Sequence, residues 1–178
     1  MITLKEVFTE WKDKIDEPIM ALETGCSFMW GEQFDPYIST PNIVEHLVRP
    51  TGGKLFSLDN DKDNIDICKK ELAKRNLLKY VDFIYGDSVH SLMNKFQTTI
   101  NFAWLDSSED AEHALNEYIW CSRFLATKHV VCVDDYGSEN SVKWQESSKN
   151  IMETFDAYKI YNTPTGLIVG HKVRRSSI

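Results

Sequence analysis

Pro18-Ile-Met-Ala-Leu-Glu-Thr-Gly25 is a compact apolar run that ends in an acid and a glycine. A run this short, bounded by turn chemistry, reads as a buried strand rather than a helix. The same theme recurs along the chain. Lys54-Leu-Phe-Ser-Leu58 follows the turn residues Thr51-Gly52-Gly53 and enters Asp59-Asn60-Asp61. Tyr80-Val-Asp-Phe-Ile84 leads into Tyr85-Gly86-Asp87-Ser88. The run from Ile100 to Leu105 stops at Asp106, and His129-Val-Val-Cys-Val133 stops at Asp134-Asp135.

Helical periodicity fills the spaces between these runs. Residues 3–15 carry Leu4, Val7, Phe8, Trp11 and Ile15 on one stripe. Ser39-Thr40-Pro41 is a helix start with proline at the first helical position, continued by Ile43, Val44, Leu47 and Val48 until Pro50. Residues 62–76 place Ile65, Cys68 and Leu72 on one face, and a short helix runs from Ser88 through Phe96. Residues 109–125 form the clearest amphipathic helix, with Ala111, Ala114, Leu115, Tyr118, Cys121 and Leu125 together. A helix over 139–154 precedes two strands near 157–162 and 166–173, joined as a hairpin through Asn162-Thr-Pro-Thr-Gly166.

This β-α-β-α order predicts a three-layer, Rossmann-like α/β fold. Its sheet is mainly parallel and seven-stranded, closed by a C-terminal antiparallel hairpin strand. No repeat, low-complexity tract or linker interrupts it. The expectation is one domain over residues 1–178, with an N-terminal helix in 1–16 and an α/β core in 18–173.

Composition narrows the function. The chain has 178 residues, 42% of them hydrophobic and 26% charged, as in ordinary globular proteins. A net charge of −7 argues against binding phosphate backbones, which requires clustered Lys and Arg. The one basic cluster, Lys172, Arg174 and Arg175, reads as a solvating tail. No apolar run approaches the about 20 residues of a membrane span, and MITLKEVFTEWKDK lacks the apolar centre of a signal peptide. The four cysteines, Cys26, Cys68, Cys121 and Cys132, form no CxxC pair. They read as buried, reduced thiols of a cytoplasmic protein. A homodimer is compatible with all of this.

Ligands of open α/β sheets bind beyond the carboxyl ends of the strands. Here Glu23, Asp59, Asp87, Asp106, Asp134 and Asp135 all fall at or just after strand ends. A single acid there is ordinarily a loop residue or a helix cap. Five strand ends together imply a compensating cation or a set of donors, because crowded carboxylates repel. Neither phosphate cradle is present: Gly25 is followed by Cys26, Ser27 and Phe28 rather than a GxGxxG, and Gly52-Gly53-Lys54 precedes a strand instead of following one. A ligand with ribose hydroxyls and a positive centre suits these acids better than a pyrophosphate does.

Taken in order, Glu23-Thr-Gly25-Cys-Ser27, Leu58-Asp59-Asn60-Asp61, Tyr85-Gly86-Asp87-Ser88, Leu105-Asp106-Ser107 and Val133-Asp134-Asp135 resemble the class I S-adenosylmethionine-dependent methyltransferases. The closest likeness is to the small-molecule O-methyltransferase branch that includes catechol O-methyltransferase-like proteins. It spans about residues 18–172. Each motif is weak alone, and five in register make the resemblance specific.

The resemblance implies S-adenosylmethionine as cofactor and a small-molecule methyl acceptor. The turn Glu23, Thr24, Gly25 and Ser27 would approach the methionine part. Asp59, with Asn60, would take both ribose hydroxyls. Gly86, Asp87 and Ser88 would address the adenine, and Asp106 the methionine amino group. Ser27 and Ser88 read equally well as turn or helix caps.

In the metal-dependent branch, an acid after the fourth strand joins an Asp-Asn pair after the fifth to hold Mg²⁺ or another divalent cation. That likeness implies Asp106, Asp134 and Asp135 as metal ligands, with Asp106 and Asp135 as catalytic residues. This chain departs from the pattern with Asp135 in place of Asn, and with Glu109 where a lysine often serves. The general base is therefore unassigned. His113 is the tempting substitute, although on helix 109–125 it more ordinarily faces solvent or caps a packing gap.

Phe28, Trp30, Phe34 and Tyr37 crowd the loop after the first strand, and Tyr136 and Trp144 follow the fifth. They read either as walls or a lid of an acceptor pocket or as packing beneath the loop. Two rivals share these residues: a non-catalytic cofactor- or partner-binding protein of the same fold, and a metal-assisted hydrolase on an α/β sheet.

Overall fold

The computed structural model describes residues 1–27, 36–108, 110–134 and 144–173. Seven strands form one sheet: β1 (Met20–Thr24), β2 (Lys54–Asp59), β3 (Val81–Tyr85), β4 (Ile100–Leu105), β5 (Leu125–Asp134), β6 (Ala157–Tyr161) and β7 (Leu167–Val173). Their order is β3-β2-β1-β4-β5-β7-β6. The β3-β2-β1-β4-β5 stretch is parallel, while β7 is antiparallel to both β5 and β6. The sheet is the expected one, hairpin included.

The central strands are apolar on both faces because helices cover both. On β4, Phe102 and Trp104 point to one side while Ala103 and Leu105 point to the other. The first side is covered by α1 (Leu4–Trp11) and by α2 (Ser39–Ile43) with its continuation. The buried stripe of α1 is Leu4, Val7, Phe8 and Trp11, and Phe8 meets Phe102 and Trp104 edge-on at 5.6 and 5.9 Å. A reciprocal capping box between Thr3 and Glu6 starts that helix. α4 (Lys62–Lys74) adds Leu72 to the same core. On the second side α5 (Ser88–Asn94), α6 (Ala111–Cys121) and α7 (Lys149–Met152) bury Leu92, Tyr118, Cys121, Ile151 and Met152.

Three local expectations are corrected. Pro41 is the third helical residue of α2, not the first, because Ile38 occupies the cap. The helix also does not stop at Pro50. A π-helical stretch, Val44–Val48, precedes the turn α3 (Arg49–Thr51), which contains the proline. The Arg49 N–H bonds back five residues to the Val44 carbonyl, and this wider turn accommodates a ring that would clash with a regular α-turn. Gly52, left-handed at φ +69°, then ends the helix. Finally, Leu125 belongs to β5 and not to the preceding helix. α6 ends at Cys121, and a register shift between Ile100 and Phe102 lets β5 begin at Leu125, opposite Ile100. Residues 139–143, the first part of the expected seventh helix, lie outside the described residues.

The strand order reverses direction between β1 and β4. That switch point opens beyond the carboxyl ends of the two strands, where the connections to α2 and α6 part.

Candidate functional site

The site is built on the turn that leaves β1. Gly25 holds φ +78°, and its N–H donates to the Leu58 carbonyl at 2.8 Å. A Cβ at this position would lie 2.6 Å from the Asp106 carbonyl oxygen. Only glycine allows both the backbone angle and the approach of the two strand ends.

The next residue, Cys26, donates its N–H to Asp59 Oδ2 at 2.9 Å. Asn64 Nδ2 reaches the same oxygen at 2.9 Å and the Cys26 carbonyl at 2.6 Å. The other oxygen, Oδ1, accepts the Asp61 N–H at 2.7 Å. Asp59 is thus 9% exposed and fixed from three sides at the end of β2. An ionised carboxylate offers about four acceptor positions, so one remains for a ligand. Gly86, at φ +141°, donates to the Asp59 carbonyl at 2.9 Å, and Asp87 caps α5 through the His90 N–H at 2.8 Å.

Gly25, Asp59, Gly86 and Asp87 of this set line a cavity of about 340 Å³. Gly25, Asp59, Asn60, Gly86, Asp87 and Ser88 form one side of it. Ser107, Ser108 and His113 form the other. A second cavity of about 200 Å³ lies next to it, with Ser27, Ser39, Asp106 and Asp134 among its polar lining and Leu4, Tyr37, Ile38 and Pro164 among its apolar lining. Thr165 Oγ1 donates to Asp134 Oδ1 at 2.9 Å on this side. The two cavities share a wall: Gly25 and Ser107 face the first, while Ser27 and Asp106 face the second.

Two buried carboxyl groups support that wall from opposite faces of the sheet. Glu23 receives the hydroxyls of Thr40 and Ser57, both at 2.8 Å, on Oε2, while Oε1 has no partner among the described residues. Thr40 Oγ1 in turn accepts the Ser27 N–H at 2.9 Å, so Glu23 anchors the turn through α2. Burial pushes its carboxyl up to about 7, against the opposing hydroxyls of Ser39, Thr40 and Ser57. On the other face, Glu117 of α6 accepts Thr24 Oγ1 at 3.2 Å and the Ser107 hydroxyl. Thr24 Oγ1 also accepts the Asp106 N–H at 3.1 Å, tying β1, β4 and α6 together. His113 Nε2 lies 3.6 Å from Glu117 Oε1 and 3.0 Å from Ser88 Oγ, and its pKa is raised chiefly by the bond to Glu117.

Of the expected site residues, the structure brings Gly25, Asp59, Asn60, Gly86, Asp87 and Ser88 to one cavity and Ser27, Asp106 and Asp134 to its neighbour. Glu23 and Thr24 lie buried behind the shared wall instead of on the rim. His113 lines the first cavity with its side chain 27% exposed, and Ser88 and Glu117 hold its Nε2 inward, so it is neither purely a solvent-facing residue nor a filler of a packing gap. Asp135 and Glu109 lie outside the described residues, as do Phe28, Trp30, Phe34, Tyr136, Arg174, Arg175 and the side chain of Trp144. Tyr37, the remaining loop aromatic, lines the second cavity. Among the described residues no group of three His, Cys, Asp or Glu is placed to hold a metal ion.

Four contributors went unassigned in the sequence: Thr40, Asn64, Ser107 and Glu117. Glu117 had a readable signal, because it adjoins the apolar stripe of α6 between Ala114 and Tyr118. An acid on the core side of an amphipathic helix needs partners there. Thr40 and Asn64 had none, since their targets come from other elements.

The comparisons with known proteins agree with this architecture. A family model described as a methyltransferase domain matches residues 38–136. No curated protein matches the chain. Among solved structures, an O-methyltransferase from Bacillus cereus in complex with SAH superposes with TM-score 0.68 at 17% identity, over 94% of this chain and 79% of that one. TomG of Streptomyces achromogenes, an O-methyltransferase of tomaymycin synthesis in complex with SAM, gives TM-score 0.68 at 13% identity over 96% and 79%. A SAM-dependent O-methyltransferase of Thermotoga maritima gives TM-score 0.68 at 14% identity over 98% and 66%. At these identities the likeness is one of fold.

Proposed function

The chain belongs to the methyltransferase-domain family, and from that premise we propose that it transfers a methyl group from S-adenosylmethionine to an oxygen of a small-molecule acceptor. The observation that carries this reading is the pair of cavities divided by Gly25–Ser27 and Asp106–Ser107. One has the acceptor groups a nucleoside needs. The other is small, part apolar and part acidic.

In the first cavity, the free acceptor position of Asp59 would bind a ribose hydroxyl, with Asn60 beside it. This is narrower than a carboxylate gripping both hydroxyls, because three protein donors already occupy Asp59. Gly86, Asp87 and Ser88 would take the base. Gly25 would let the methionine part pass close to the backbone at the wall, with Ser27 and Asp106 beyond it. Glu23 and Thr24 would act from behind by holding that wall in place. The acids around the opening would also favour a cation through their field.

When bound, S-adenosylmethionine supplies an electrophilic methyl on a sulfonium. The acceptor oxygen would form the new C–O bond as the S–C bond breaks, and its proton would pass to solvent or to a carboxylate. The chain's part is alignment across the shared wall, which by itself accelerates a two-substrate reaction strongly. Asp106 and Asp134, two hard oxygen donors lining one cavity, would be the ligands of a divalent cation such as Mg²⁺, with Asp135 the third candidate from the sequence. A metal held there would lower the pKa of the acceptor hydroxyl. The four cysteines are free and buried, which supports action in the cytoplasm. No helix among the described residues is long and apolar enough to cross a membrane.

The test is incubation with methyl-labelled S-adenosylmethionine and a panel of small aromatic and aliphatic compounds offering hydroxyl, amine or carbon nucleophiles, with and without Mg²⁺. The expected result is label in an ether product with equimolar S-adenosylhomocysteine. Label transferred only to nitrogen or carbon acceptors would overturn the oxygen assignment.

A further inference from the structure

One pair of side chains on α6 is unused by the roles above. His113 Nε2 lies 3.0 Å from Ser88 Oγ and 3.6 Å from Glu117 Oε1. Glu117 is buried and already receives the hydroxyls of Thr24 and Ser107. The imidazole is therefore oriented from β1, the end of β4, α5 and its own helix. With Nε2 directed inward, Nδ1 is the remaining polar atom of the ring. It has no hydrogen-bond partner among the described residues, and it belongs to a side chain 27% exposed at the wall of the first cavity.

The rest of that wall determines what Nδ1 can recognise. Asp59 and Asp87 supply carboxylates, which suit ribose hydroxyls and an exocyclic amine, and the serines supply hydroxyls. A purine also carries ring nitrogens that can only accept. Among the described lining residues, His113 is the one side chain able to offer a cationic N–H. Charge-assisted bonds of this kind are about twice as strong as neutral ones.

We propose that His113 reads the nucleobase, donating Nδ1–H to a ring nitrogen of the purine in the first cavity, with Glu117 and Ser88 as positioning residues. The proposal rests on the reading of that cavity as the nucleoside site. The charged groups facing His113 are Glu117 of α6, Asp110 at its N-cap and Asp87 from the cap of α5, and all three raise its pKa, while burial opposes them. The cationic donor is thus present below the folded-state pKa and lost as pH rises through it. Glu23, with its raised pKa, titrates with rising pH behind the other end of the site. Its contribution is common to the wild type and to His113 variants, so their ratio isolates His113.

The test is calorimetric titration of the full chain with S-adenosylhomocysteine between about pH 5.5 and about pH 8.5, the range in which histidine titrates. At the acidic end His113→Phe is expected to bind about tenfold more weakly than wild type, the value of one charge-assisted hydrogen bond. That ratio should fall towards one as pH rises. His113→Gln, which keeps a neutral N–H, should recover part of the affinity without the pH dependence. Glu117→Gln should shift the inflection to lower pH. A ratio that stays constant with pH, with His113→Phe and His113→Gln weakened alike or not at all, overturns the proposal and leaves the cofactor site standing. Absence of S-adenosylhomocysteine binding to the wild type at every pH overturns both. If His113→Phe fails to fold by circular dichroism, the wild-type and His113→Gln profiles decide.

Discussion

A Cβ placed on Gly25 would lie 2.6 Å from the carbonyl oxygen of Asp106. The first turn after β1 and the first residue after β4 are therefore in backbone contact at the switch point of the sheet, and the wall between the two cavities has no room to thicken. Gly25→Ala adds this collision to a left-handed φ of +78°. The left-handed angle alone costs a non-glycine residue about 1–2 kcal/mol. The variant should lose at least about 2 kcal/mol of unfolding free energy in urea. It should also bind S-adenosylhomocysteine much more weakly, because relief of the clash must move one strand end.

Asn64 acts through Asp59. Its amide bridges Asp59 Oδ2 and the Cys26 carbonyl, clamping the β1 turn to the end of β2. Asn64→Ala should weaken S-adenosylhomocysteine binding about tenfold while costing about 1–2 kcal/mol of stability, as expected for lost hydrogen bonds to partly buried groups. Calorimetry and denaturant melts read the two effects separately.

Glu23 makes stability depend on pH. Burial raises its carboxyl from an ordinary 4.5 to about 7. A raised folded-state value means that the contribution is full below the unfolded value and is lost as pH climbs through the folded one. Glu23→Gln keeps the shape without the charge. It should be more stable than wild type by about 2–3 kcal/mol at pH 8, with the difference vanishing towards pH 4.5. Melts at a series of pH values measure the convergence.

The proposed metal ligands are separable from the proposed cofactor site. Treatment with EDTA should abolish turnover, and Mg²⁺ should restore it. Asp134→Asn should raise the Mg²⁺ concentration required about tenfold, the effect of weakening one carboxylate ligand. S-adenosylhomocysteine affinity should be unchanged in both experiments, because Asp134 lines the second cavity and not the first.

The strands and their acids were legible because a parallel sheet covered on both faces writes short apolar runs, and its ligand site begins where each run ends. The depth of each acid was not. Glu23 is in register with Ser57 and points to the same face as Asp59, but it lies two residues farther from the strand ends, under Thr40 of α2, while Asp59 reaches the cavity. Glu117 adjoins the apolar stripe of α6 and His113 stands out as a candidate base, but what each of them meets was hidden. Their partners Thr24, Ser88 and Ser107 come from three other segments, and no local pattern records such a meeting. The π-helical stretch before Pro50 was equally hidden, because helical periodicity over five residues looks the same in either winding.

The central claim is that the cavity at Asp59 binds the adenosyl cofactor. Calorimetric titration of the intact chain with S-adenosylhomocysteine, beside Asp59→Ala, tests it most directly. The expected result is one site of roughly micromolar affinity in the wild type, about −8 kcal/mol, and no measurable binding in Asp59→Ala folded by circular dichroism. Retained micromolar binding in the variant, or none in the wild type, would contradict the account.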